Sequence, residues 1–152
     1  NGQKESRDAF FGEERGGVPA LFLCMSDDEE DRVKKILIVD DEPFLRQLMR
    51  ATFSGTTYQI LEAADGKEAL QTVNEQKPDL VLLDIMMPRQ SGFDICRAIK
   101  GNERTRDTVV MLMTGCCEGY LREEGLRAGA DDYLPKPFSP LDLIQRVQTF
   151  LH

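Results

Sequence analysis

Histidine is all but missing from this chain: a single copy stands at the last of 152 positions, His152. A catalytic histidine triad or a histidine-based metal site would have to be built on a chain terminus, so both chemistries are set aside. Long apolar runs are missing as well. None approaches the roughly 20 residues that cross a bilayer, so no membrane segment is expected. Basic charge is scarce: 19 Lys and Arg stand against 27 Asp and Glu, for a formal net charge of −8. A nucleic-acid binder that neutralises phosphates should be basic, so direct DNA or RNA binding by this chain is not expected. The four cysteines, Cys24, Cys96, Cys116 and Cys117, match neither zinc-ligand nor C-x-x-C spacing. Adjacent cysteines rarely close a relaxed disulfide, so the expectation is free thiols in a reducing cytoplasm. What is present, 41% apolar and 30% charged residues with few prolines and glycines, fits one globular domain with or without a tail.

Composition changes near residue 34. Residues 1–34 hold five basic and nine acidic residues, including the run Asp27-Asp28-Glu29-Glu30-Asp31. Such a run repels itself and stays solvated. Gly16-Gly17 and Pro19 break any regular pattern there, and Val18–Met25 lacks the basic start and length of a secretory signal. Residues 1–34 are therefore expected to form a flexible acidic tail or extension, and 35–152 the folded domain. Met25, followed by Ser-Asp-Asp, reads like an ordinary N-terminus.

From residue 35 onward apolar runs alternate with helical stripes. Ile36–Val39, Leu80–Leu83 and Val109–Met113 are continuous apolar runs, as in strands covered on both faces. Tyr58–Ala63 and Tyr133-Leu134 are more polar and read as edge strands. Helices are expected at Pro43–Ser54, Gly66–Gln76, Phe93–Lys100 and Glu118–Ala128, where apolar residues recur at helical spacing. A last helix opens at Ser139-Pro140-Leu141-Asp142, with Ser as N-cap, Pro at the first position and an acid at the third. Five strand–helix units in about 118 residues imply an α/β doubly wound parallel sheet. Three buried and two polar strands match the flavodoxin-like (βα)5 order 2-1-3-4-5, whose ligands bind at the carboxyl ends of the strands where the order reverses.

Acids collect at that edge. The first strand ends in Asp40-Asp41-Glu42 and the third in Asp84. Unpaired, these carboxylates would repel and raise one another's pKa, and a divalent cation relieves this. Oxygen ligands without His or Cys favour Mg²⁺. Asp41 or Glu42 could instead cap the helix at Pro43, but one acid would suffice for that. The fourth strand ends in Thr114-Gly115 and the fifth is followed by Lys136-Pro137. A hydroxyl, an ammonium and Mg²⁺ around a carboxylate make a phosphoryl-binding arrangement. A cis Lys136–Pro137 bond would aim the lysine inward, but only about 5–6% of such bonds are cis, and the sequence does not select it.

These motifs resemble one family. Ile36–Pro43, Leu80–Pro88, Ser91-Gly92, Met113-Thr114-Gly115 and Gly129–Phe138, in this order and spacing over about residues 34–152, look like the receiver domain of two-component response regulators. The resemblance implies that Asp84 accepts a phosphoryl group from a phosphohistidine on a sensor histidine kinase or a histidine phosphotransfer protein. It implies that Asp41, Asp84 and the backbone carbonyl of Met86 bind Mg²⁺, with Asp40 acting through water. It further implies that Thr114 and Lys136 hold phosphoryl oxygens, and that Tyr133 is a switch aromatic coupled to Thr114. Met86 and Cys116 occupy the positions that tune dephosphorylation in the family. The signal would pass through the fourth helix, fifth strand and fifth helix to an output partner or domain, or to a phosphorylation-dependent dimer. The resemblance makes the chain a cytoplasmic signalling domain, not an enzyme beyond its own phosphotransfer and dephosphorylation.

Three rival readings are set beside it. An aspartyl phosphotransferase or phosphatase would use similar chemistry, but no second acid follows Asp84 by two residues. A flavin-binding protein of the same fold would need a phosphate loop where Asp40–Pro43 stands. A degenerate receiver would lack acceptor residues that are all present here. No output domain is visible after Leu151, and both a stand-alone receiver and a piece of a longer regulator remain open.

Overall fold

The computed structural model describes residues 32–115 and 119–151. The chain divides into two units, residues 1–33 and 34–152. The acidic run at 27–31 and Cys24, Cys116, Cys117 and His152 lie outside the described residues.

Each apolar run becomes a strand and each amphipathic stripe a helix. In chain order the elements are β1 (Lys35–Val39), α1 (Pro43–Thr52), β2 (Gln59–Ala63), α2 (Gly66–Gln76), β3 (Leu80–Asp84), α3 (Gly92–Lys100), β4 (Val109–Thr114), α4 (Gly119–Arg127), β5 (Asp132–Pro135) and α5 (Pro140–Leu151). All pairings are parallel and the order is β2-β1-β3-β4-β5, the flavodoxin-like order that the patterning predicts. β3 is buried at all five positions, whereas the edge strands β2 and β5 keep mostly half-exposed ones.

Alternation along the strands divides the core into two layers. Leu37, Val39, Val81, Leu83, Val110 and Leu112 face α2 and α3, meeting Ala69, Val73, Ile95, Cys96 and Ile99. Ile36, Ile38, Leu80, Leu82, Met111 and Met113 face the other way, onto Met49 and Phe53 at α1 and Leu143, Val147 and Leu151 of α5. Each such side chain contributes at most about 1.5–3 kcal/mol on burial. Cys96 is one of these packed residues. Burial pushes its thiol up to about 11, and Sγ donates to Ala128 O at 3.4 Å, so it is an inert free thiol.

Caps set the helix starts. Asp65 accepts from Glu68 N, Ser91 Oγ accepts from Phe93 N, and Ser139 Oγ accepts from Asp142 N. The expected helix to Ser54 stops at Thr52, where the Phe53 amide turns back onto the carbonyls of Met49 and Arg50. No helix among the described residues is long and apolar enough to cross a membrane.

Candidate phosphoryl and metal site

Parallel register brings the acids together. Val39 pairs with Leu83, so the next residues, Asp40 and Asp84, leave neighbouring strands side by side. Carboxylate oxygens of Asp40, Asp41 and Asp84 lie within 4.8 Å of one another. Asp40 is fully buried and Asp84 is 6% exposed. Lys136 is the cation that faces them. Its Nζ stands 3.5 Å from Asp40 Oδ2 and 3.6 Å from Asp84 Oδ1.

Local backbone bonds hold this edge in place. The Asp40 amide donates to Ala63 O at 3.2 Å, and Asp40 Oδ1 accepts from Glu42 N at 3.0 Å. Arg46 Nη1 donates to Asp40 O at 2.7 Å. Asp84 Oδ1 accepts from Met86 N at 3.2 Å. Thr114 is buried at the end of β4, and its carbonyl accepts from Lys136 N at 2.6 Å. The Lys136–Pro137 peptide bond is cis. Gly92 lies so close beneath Asp84 that a Cβ there would stand 2.5 Å from Asp84 O and 2.7 Å from Ile85 Cα.

Burial is the largest influence on Asp84 and raises its pKa. Lys136 opposes this, Asp40 and Asp41 add to it, and the Met86 amide lowers it. A desolvated carboxylate among like charges, with one ammonium nearby, binds a cation readily and is a nucleophile. The alternative role for Glu42 finds no support, since as N-cap of α1 it makes no side-chain cap hydrogen bond. The all-oxygen donor set fits Mg²⁺. Beside the acids opens a cleft of about 420 Å³ lined by Asp40, Leu45, Leu48, Met49, Lys136 and Phe138.

Asp40, Asp41, Asp84, Thr114 and Lys136 thus gather at the carboxyl edge as the patterning predicts. The Met86 side chain is 70% exposed, while its backbone reaches Asp84. Tyr133 lies on β5, half-buried against the layer that holds Leu112. Cys116 lies outside the described residues. Two contributors escaped the sequence reading. Arg46 bonds a backbone carbonyl, which leaves no mark in sequence. Gly92 was visible only as part of a motif, not as a close approach.

Residues 36–148 match the family described as the response regulator receiver domain. The chain belongs to that family. The receiver domain is 40% identical over 118 residues to the phosphate regulon transcriptional regulatory protein PhoB of Pseudomonas aeruginosa, covering 78% of this chain and 52% of that one. Among solved structures, the chemotaxis protein CheY4 of Vibrio cholerae is similar at TM-score 0.74 and 31% identity, covering 78% of this chain and 99% of that one. The BeF3-activated receiver domain of DrrB, from Thermotoga maritima, is similar at TM-score 0.71 and 34% identity, covering 78% and 97%. The chain spans about half the length of the curated relatives it matches. As a receiver domain of two-component systems it is a signalling domain.

Proposed function

We propose that Asp84 is the phosphoryl acceptor of this receiver domain. The observation that carries the reading is the Asp84 carboxylate itself: 6% exposed, raised in pKa by burial, and 3.6 Å from the Lys136 ammonium. A carboxylate oxygen of Asp84 attacks the phosphorus of a phosphohistidine. The P–N bond breaks, an acyl phosphate forms, and the departing ring nitrogen keeps the electron pair and takes a proton from solvent water. Lys136 offers its ammonium to the incoming phosphoryl oxygens, and Thr114 its hydroxyl. Asp41, Asp84 and the Met86 carbonyl would hold Mg²⁺, with Asp40 acting through water. Mg²⁺, when bound, neutralises the acid cluster and steadies the phosphoryl oxygens. The Met86 amide on Asp84 Oδ1 keeps the carboxylate oriented.

The donor is a sensor histidine kinase or a histidine phosphotransfer protein, and the apolar cleft beside Lys136 gives it a surface. Residues 35–152 act as the receiver and 1–34 as an extension. Movement of Thr114 and Tyr133 passes the signal to the α4-β5-α5 face, and from there to an output partner, an output domain or a second phosphorylated copy. The names of the relatives point to transcription as the output. The setting is the cytoplasm. The test is incubation with Mg²⁺ and acetyl phosphate. One base-labile phosphate should appear on the wild type and none on Asp84→Asn. Equal labelling of the two proteins overturns the assignment.

A further inference from the structure

We infer that Arg46 is a positioning residue that sets the affinity of the acidic pocket for a divalent cation, and that Glu62 acts through it. The inference rests on the reading of that pocket as a Mg²⁺ site.

Every polar group of Asp40 is engaged. Its amide goes to Ala63 O, Oδ1 to the Glu42 amide, Oδ2 faces Lys136, and its carbonyl accepts Arg46 Nη1 at 2.7 Å. That carbonyl belongs to the peptide unit whose nitrogen is Asp41. A peptide unit is planar, so holding its oxygen fixes the direction in which the chain enters Asp41. Arg46 reaches Asp40 from one turn into α1, where its own amide donates to Glu42 O.

Arg46 is itself held. Its Nε donates to Glu62 Oε1 at 3.2 Å, and its side chain is only 17% exposed. Glu62 stands on β2 opposite Ile38 of β1, and its other oxygen takes Arg50. A rigid path therefore runs from the edge strand, through Glu62 and the guanidinium, to the peptide that aims Asp41. The planar fork presents Nε and Nη1 to the two acceptors from separate, fixed positions, which the single nitrogen of a lysine does not reproduce.

Charge argues the other way. Removing a cation beside three carboxylates would by itself tighten cation binding. Here Glu62 already meets the guanidinium charge at contact distance, so loss of position outweighs loss of charge. Partners behind a metal ligand typically change affinity about 10–100-fold when removed.

The experiment titrates Mg²⁺ into wild type, Arg46→Ala, Arg46→Lys, Glu62→Gln and the double variant Arg46→Ala with Glu62→Gln, by calorimetry on folded protein. Melting midpoints are measured without metal. Arg46→Ala should bind about tenfold more weakly, with Arg46→Lys between it and wild type. Glu62→Gln should weaken binding in wild type and add nothing in the Arg46→Ala background. Equal or tighter binding by folded Arg46→Ala overturns the inference, even if its midpoint falls. If Arg46→Ala does not fold, unchanged affinity in Arg46→Lys and Glu62→Gln overturns it equally. A wild type that takes up no Mg²⁺ overturns the pocket reading itself, a result distinct from either.

Discussion

Asp84 is a carboxylate placed where the fold is least comfortable with it. Burial first, then Asp40 and Asp41, raise its pKa against the pull of Lys136. The unfolded chain offers an aspartate of about 3.9. With the folded value above it, this residue's favourable contribution is complete below the unfolded pKa and is lost as pH rises through the folded one. Asp84→Asn keeps the shape and removes the charge. In metal-free buffer at pH 7 it should melt above wild type, with each 1 kcal/mol of relieved desolvation and repulsion counting for roughly 4 °C in a domain of this size. The gap should narrow in acid, and also when Mg²⁺ is added, because the ion stabilises only the protein that binds it. Calorimetry at two pH values decides the matter, and a lower midpoint for the variant at pH 7 refutes it. The acids were legible in sequence because charged residues at the ends of buried apolar runs have no packing role. Arg46 was not, because its partners are a carbonyl six residues back and a glutamate sixteen residues on.

The helices show the same division between what patterning reveals and what needs packing. The Ser139 cap and the polar edge strands could be read directly, since each follows from local chemistry. Gly92 could not be read as a spacer. Its absent side chain lets the start of α3 lie against the end of β3, where a Cβ would strike backbone and not a movable side chain. Gly92→Ala should therefore cost about 1–3 kcal/mol, comparable to overpacking a core, and lower Mg²⁺ affinity by shifting Asp84. Chemical denaturation checks the first and titration the second. α4 carries a different lesson. Gly119 and Gly125 mark it in sequence as a weak helix, yet a Cβ at Gly125 would stand 2.9 Å from Leu112 Cδ1, so this glycine also permits close docking. Between Leu121 and Arg127 only Gly125 is buried, and Arg97–Glu124, at 3.2 Å, ties the helix to α3. Small residues and part-exposed ion pairs hold weakly. Hydrogen exchange should be fastest in α4 among the five helices, and beryllofluoride should change protection most over residues 114–138. A change confined to α1 would count against that output face.

At the scale of the whole molecule, both apolar layers are built from residues within the 34–152 unit, so that unit is expected to keep its core without residues 1–33. Deleting residues 1–33 should leave the melting midpoint and phosphoryl uptake unchanged, as scanning calorimetry and intact mass can establish. A measurable fall in either would mean that the acidic segment takes part in the fold or in the chemistry.

The register of β1 against β3 has a consequence for the fidelity of the message. Asp40 and Asp84 stand 44 residues apart in sequence, and Lys136 comes 52 residues later still. No short stretch of the chain contains the pocket. A denatured copy carries every one of these side chains and yet has no pocket to offer. On the proposed reading of that pocket, only a folded copy can be marked, so unfolding silences the domain and does not raise a false alarm.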